Sequence, residues 1–292
     1  MIPIPILPGF GAMADKYDGF ILDLWGLIHD GHKAYPGAAD SLRRLQDLGK
    51  RVVMLSNSPR RAEDLKRMME RFGIGRDHYN EVMSSGEAVF QELQTCADPW
   101  FAALGNRCLL VGIERDRDLL AGLDLTLVER PEEAEFILNT GPDGPGAKLE
   151  DYIPLLDRAL GLGLPMICAN PDLVVMVDGL QVLCAGALAA YYERKGGDVR
   201  YRGKPDPAIY RTCLSLLGVE RKDRILGVGD AFHTDMAGAK NAGIDGLFCS
   251  GGIHAEELGT VYGRPPDPAP LARLVAAYPG IRPVGAIGGF LW

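Results

Sequence analysis

Phe20-Ile21-Leu22-Asp23-Leu24-Trp25-Gly26-Leu27-Ile28 decides how this chain folds. A short apolar run that ends in an acid and is soon followed by glycine reads as a central strand of a parallel sheet. Such a strand is buried on both faces and carries a functional group at its carboxyl end. Ligands of open α/β sheets bind outside those ends, so Asp23 stands where chemistry is expected. Three landmarks follow in order: Ser56-Asn57 after Val52-Val53-Met54-Leu55, Lys204 in Gly203-Lys204-Pro205, and Gly229-Asp230 with Asp235 after Ile225-Leu226-Gly227-Val228. A carboxylate nucleophile, a hydroxyl, a lysine and a second acidic pair together compose a phosphoryl-transfer site.

Around these landmarks strands and helices alternate. The spacing predicts a strand at 20–25, a helix at 38–48, a strand at 51–55 and a helix at 61–72, each helix stopped by a glycine. A second series follows, with strands at 108–112, 125–129, 136–140 and 166–170 and a helix at 149–160. It ends in a hairpin, 173–177 and 181–184, turning at Asp178-Gly179. The first series resumes with the Lys204 loop, a helix at 208–217 and strands at 224–228 and 246–249. Such alternation calls for parallel sheets with right-handed crossovers. The reading is therefore α/β: a Rossmann-like parallel-sheet core, residues 1–88 with 189–292, interrupted by an inserted α/β domain at 89–188. The Gly/Pro-rich tail ending Phe290-Leu291-Trp292 reads either as a loose terminus or as a docking segment.

Composition narrows the function. The 292 residues, 47% hydrophobic and 24% charged, suit two ordinary globular domains. A net charge of −8 gives no electrostatic case for binding nucleic acid. No apolar stretch reaches membrane-spanning length, and the proline-containing start lacks the basic region of a signal peptide. Six cysteines without metal-site spacing read as free thiols in a reducing compartment, so the chain reads as cytoplasmic.

Each site residue has a plain alternative. Asp23 taken alone could cap the next turn, Asp235 the following helix, and Lys204 could be a surface lysine before Pro205-Asp206-Pro207. Their joint order favours chemistry. Asp23 would attack phosphorus, Asp230 and Asp235 would hold Mg²⁺, and Ser56 and Lys204 would bind phosphoryl oxygens. His29, Asp30 and His233, just past the strand ends, divide evenly between loop residues and proton carriers. No Walker A loop, HExxH, GxSxG or post-strand GxGxxG competes.

With all four motifs placed, the chain resembles the haloacid dehalogenase (HAD) superfamily, and within it the class IIA, NagD-like phosphatases of sugar and nucleotide phosphates. Further carriers are Ile28-His29-Asp30-Gly31, Tyr35-Pro36-Gly37-Ala38, Ser56-Asn57-Ser58-Pro59, Ala169-Asn170-Pro171-Asp172 and Arg202-Gly203-Lys204-Pro205. The insertion falls where that branch carries its C2 cap. The resemblance implies Asp23 as nucleophile, Ser56, Asn57 and Lys204 around the phosphate, and Asn139, Asn170 and Asp172 as cap residues for selectivity. It also implies Mg²⁺ on Asp23, Asp230, Asp235 and the main-chain carbonyl of Trp25. Its partner would be a small phosphorylated metabolite, with a homodimer through the cap left open.

One position departs. The usual first motif is Asp-x-Asp-Gly, whose second Asp protonates the leaving group and then activates water; here it is Trp25. Losing general acid–base catalysis costs ~10²–10⁴-fold, about 3–5 kcal/mol of barrier. Three readings remain: a Mg²⁺-dependent phosphatase with a good leaving group or with His29, Asp30 or water as proton carrier; a phosphate-ligand-binding protein with vestigial chemistry; and a dehalogenase. The retained Asp230 and Asp235 disfavour the last, and the first is preferred.

Overall fold

The apolar runs become the inner strands of two separate sheets in a computed structural model that describes residues 4–144, 146–177 and 180–292. In chain order the strands are β1 (Gly19–Leu22), β2 (Arg51–Ser56), β3 (Glu81–Ser84), β4 (Arg107–Val111), β5 (Thr126–Val128), β6 (Phe136–Asn139) and β7 (Met166–Cys168). They continue with β8 (Val174–Val177), β9 (Leu180–Leu183), β10 (Val199–Tyr201), β11 (Ile225–Gly229), β12 (Asp245–Cys249) and β13 (Gly285–Ile287).

The first sheet has the order β13-β12-β11-β1-β2-β3. β1 is central and parallel to both neighbours, with Leu22 in register with Met54 of β2 and Val228 of β11. All four of its residues are buried, as strands covered on both faces must be. The ends of β1, β2 and β11 therefore lie side by side, which brings Asp23, Ser56 and Asp230 to one edge. The expected strand to residue 25 stops at Leu22, because beyond Asp23 the backbone turns: Ile28 N–H and His29 N–H both donate to the Leu24 carbonyl.

The second sheet has the order β10-β7-β6-β4-β5, with parallel pairing throughout. Its side chains alternate between two cores: Phe136 and Leu138 of β6 join Phe101 and Ile167, whereas Ile137 joins Leu156 and Tyr192. β8 and β9 pair antiparallel, and the turn expected at 178–179 lies outside the described residues.

The chain divides into two compact units, 1–56 with 63–83 and 204–292, and 57–62 with 84–203. The expected borders at 88/89 and 188/189 are too narrow for the second unit. Helix Ala185–Arg194 contributes Leu188, Ala189 and Tyr192 to its core, and β10 pairs with β7. At the other border, helix Ser85–Thr95 buries Val89 and Phe90 there, and the Arg61–Glu87 ion pair ties residues 57–62 to it. Five of the six cysteines are buried and all are free; Cys96 is exposed.

The C-terminal tail is docked. β13 adds to the first sheet in parallel with β12, and Phe290 is fully buried against Phe10 at 4.5 Å between ring centroids. No helix among the described residues is long and apolar enough to cross a membrane.

Candidate active site

At the β1 end, Asp23 N–H still donates to Val228 O at 2.9 Å, so the strand delivers its carboxylate before the chain turns away. Lys204 arrives immediately before helix Pro207–Leu217. Its Nζ donates to Asp23 Oδ1 at 2.5 Å and to Asp235 Oδ1 at 2.7 Å. The lysine is 3% exposed and Asp23 8%, so this is a buried charge cluster, not a surface pair. The surface-lysine alternative for Lys204 is thereby removed.

Asp235 reaches the cluster through a single π-helical turn, Phe232–Met236, in which Met236 N–H donates to Ala231 O five residues back. Such turns are rare and recur at functional sites. The turn lets Asp235 Oδ2 accept from Ala231 N–H while Oδ1 faces Lys204. A Cβ on Gly229 would lie 2.1 Å from Asp235 Cγ, so glycine is required there. Asp230 is fixed from outside, its Oδ2 accepting from Ile253 N–H at 2.7 Å. A Cβ on Gly26 would sit 2.0 Å from that oxygen. Glycine in the first-motif loop thus makes room for Asp230.

Asp23, Asp230 and Asp235 each offer a carboxylate oxygen within 4.8 Å of the others, all three buried. Lys204 pairs with two of the three, Asp23 and Asp235. Burial, then the charge of Asp235, raise the Asp23 carboxyl well above its ordinary range; Lys204 pulls the other way and Asp230 adds to the rise. The donor set fits Mg²⁺: hard, buried carboxylate oxygens that converge on one point. A cavity of about 10 Å³, room for one water, is walled by Asp23, Leu55, Lys204, Tyr210, Val228 and Asp235.

The remaining residues divide. Ser56 is buried at the end of β2, one strand over from Asp23. Asn57 starts the second unit, and its Nδ2 donates to Asp172 Oδ1 at 2.8 Å. Its amide is thus engaged in tying two segments of that unit together. Asn170 lies in the same unit, where its Oδ1 accepts from Asp172 N–H. Asn139 is fully buried and donates to Ala185 O.

The Trp25 indole folds back on its own loop: a Cβ on Gly31 would lie 2.3 Å from its Cη2, and it meets the His29 ring edge-on at 5.4 Å. His29 is buried against Phe72, and its Nδ1 accepts from Gly31 N–H at 3.0 Å. Asp30 Oδ1 accepts from His32 and Lys33 N–H. Burial opposes its charge, but those backbone donors prevail and hold the carboxyl below its ordinary value. Asp30 is therefore an ionised cap of its own turn, a poor proton donor.

The chain matches the haloacid dehalogenase-like hydrolase family over residues 20–126 and a second HAD-hydrolase-like family over 201–274. It is 26% identical over 264 residues to a 4-nitrophenylphosphatase of Schizosaccharomyces pombe, covering 83% of this chain and 87% of that one. With the ribonucleotide monophosphatase NagD of Escherichia coli it shares 25% over 245 residues, 80% of this chain and 87% of that one. A crystal structure of a hydrolase of the haloacid dehalogenase-like family from Brucella suis superposes with a TM-score of 0.81 at 32% identity, covering 97% of this chain and 99% of that one.

Proposed function

The chain belongs to the haloacid dehalogenase-like hydrolases, in their class IIA, NagD-like branch, and we propose that it is a Mg²⁺-dependent phosphatase of small phosphate monoesters, sugar- or nucleotide-phosphate-like, acting through an aspartyl phosphate at Asp23. One observation carries this reading: a buried carboxylate at the end of β1, 2.5 Å from a buried lysine and converging with two further carboxylates. Phosphatase relatives over most of the chain support it.

A carboxylate oxygen of Asp23 attacks phosphorus. As the new O–P bond forms, the bond to the leaving oxygen breaks, and that oxygen departs with the electron pair. The Trp25 indole has no proton to give at neutral pH, so the leaving oxygen takes its proton from solvent. Water then attacks the aspartyl phosphate, releasing inorganic phosphate and restoring the carboxylate. Lys204 holds Asp23 in place and offers its charge to the phosphoryl group, and Ser56 supplies a hydroxyl beside it. Asp23, Asp230, Asp235 and the residue 25 carbonyl would hold Mg²⁺, which when bound neutralises phosphoryl oxygens. Selectivity belongs to the inserted unit, through residues such as Asn170.

The test is p-nitrophenyl phosphate turnover with Mg²⁺. EDTA is expected to abolish it, and Asp23→Asn to lower it by ~10⁴-fold or more. Activity above a percent or so in clean Asp23→Asn protein would mean that another residue attacks.

A further inference from the structure

Asp23 is followed by a tight loop, Leu24 to His29, whose tip is held by a residue with no place in the motifs. Tyr262 Oη donates to the Leu27 carbonyl at 2.8 Å and accepts from Phe290 N–H at 2.9 Å. Its ring stacks on Tyr35 at 3.8 Å and 8° between planes, and Tyr35 N–H donates to Ile28 O. Phe290 is anchored in turn: its carbonyl accepts from Ser41 Oγ, its ring meets Phe10, and Leu291 O accepts from Phe10 N–H at 2.6 Å.

The same C-terminal segment backs a second wall of the acidic site. Ile287 O accepts from both Ser250 N–H and Ser250 Oγ, and Gly288 O accepts from Gly263 N–H. A Cβ on Gly251 would stand 2.3 Å from Gly288 O and 2.6 Å from Tyr262 Cα. Two residues further on, Ile253 N–H donates to Asp230 Oδ2. The last residues of the chain thus brace the first-motif loop through Tyr262 and the Asp230 side through Ser250 to Ile253.

We propose that Tyr262 is a positioning residue, a clasp by which the docked C-terminal segment fixes the Leu24–His29 loop, and with it the carbonyl and carboxylate geometry around Asp23. The clasp rests on the reading of this cluster as the active site. Burial pushes the Tyr262 hydroxyl above its ordinary value, so it stays protonated and able to donate. Phenylalanine at 262 would keep the stack on Tyr35 and remove both hydrogen bonds.

The deciding experiment compares full-length wild type with Tyr262→Phe by amide hydrogen exchange and by kinetics. The amides of Gly26, Ile28 and His29, bonded within the loop, are expected to exchange roughly tenfold faster in the variant, as loss of one or two neutral hydrogen bonds implies. Peptides of β4 and β6 should be unchanged. The Mg²⁺ concentration for half-maximal p-nitrophenyl phosphate turnover should rise and kcat fall by a similar factor, with KM little altered. Unchanged loop exchange would overturn the clasp, as would faster exchange spread equally over both units, since that reports only lost stability. Wild-type protein without phosphatase activity would remove the proposed function and leave the clasp to be judged by loop exchange alone.

Discussion

Lys204 Nζ and Asp23 Oδ1 meet at 2.5 Å although 181 residues separate them in the chain. The ammonium is shared with Asp235, so one cation restrains two buried carboxylates. Removing it takes from Asp23 and Asp235 the cation they share, a costly loss for buried carboxylates in a low-dielectric site. Lys204→Met is expected to lower kcat/KM by ~10²-fold or more. It should also reduce stability by about 3–5 kcal/mol in metal-free protein and by less when Mg²⁺ is present. Thermal melts with and without Mg²⁺, beside turnover, check this; equal destabilisation in both conditions would argue against a shared charge site.

The raised Asp23 carboxyl predicts how metal-free stability responds to pH. Folded protein holds a proton there that the unfolded chain releases near the ordinary carboxylate value. Where the native state binds more protons, stability falls as pH rises. The fall begins at the unfolded pKa and ends only at the higher folded one. Metal-free protein should therefore melt at lower temperature as pH climbs above the ordinary carboxylate range. Added Mg²⁺ should stabilise more at pH 8 than at pH 5, because it competes with that proton. Asp23→Asn should flatten the metal-free trend. A Mg²⁺ stabilisation that does not vary with pH would contradict the buried trio as its binding site.

Gly26 separates steric need from backbone preference. Its φ is +80°, and a Cβ would stand 2.0 Å from Asp230 Oδ2. Gly49 has a similar φ of +68° but open space around it. Gly49→Ala should cost about 1–2 kcal/mol from backbone strain alone and leave turnover intact. Gly26→Ala should carry that cost and also displace Asp230, raising the Mg²⁺ requirement and lowering kcat by roughly tenfold or more. Equal kinetic parameters for the two variants would show that Asp230 tolerates the shift.

The sequence exposes most of this arrangement because the edge that carries the candidate site is built from the ends of strands buried on both faces. β1, β2 and β11 are short apolar runs, and each hands its first polar residue to the same edge. Less legible are β10, whose Val199-Arg200-Tyr201 is only partly buried, and β13, formed from Gly285-Ala286-Ile287 within a Gly/Pro-rich stretch. Both owe their extended form to a neighbouring strand that periodicity does not reveal. The π-helical turn at Phe232–Met236 carries no pattern of its own, yet it decides where Asp235 points. Asn57 follows Ser56 directly but belongs to the other unit through Asp172. Tyr262 is invisible to motif reading, since its partners are a main-chain carbonyl and a main-chain amide far away in sequence.

Trp25 is where sequence and structure together make the sharpest demand. Its indole packs on Gly31 and against His29. Of the two neighbours that could replace the missing acid, Asp30 is held ionised by its own loop, and His29, its Nδ1 accepting from Gly31 N–H, keeps its proton on a buried Nε2. The leaving oxygen then departs as an anion, and the rate must follow its pKa steeply. Aryl phosphates should outrun an alkyl phosphate by far more in wild type than in Trp25→Asp, with the ratio shrinking by as much as ~10²–10⁴-fold once a carboxylic acid can donate. The variant should lose thermal stability, because a small carboxylate leaves the indole's place against Gly31 unfilled. The measurement is a series of substituted phenyl phosphates with one alkyl phosphate, run on both proteins with Mg²⁺. A wild-type rate that ignores leaving-group pKa while chemistry limits turnover would refute the argument and point to another proton donor. If both proteins bind phosphate ligands yet turn over none of the series, the phosphate-binding reading replaces the phosphatase.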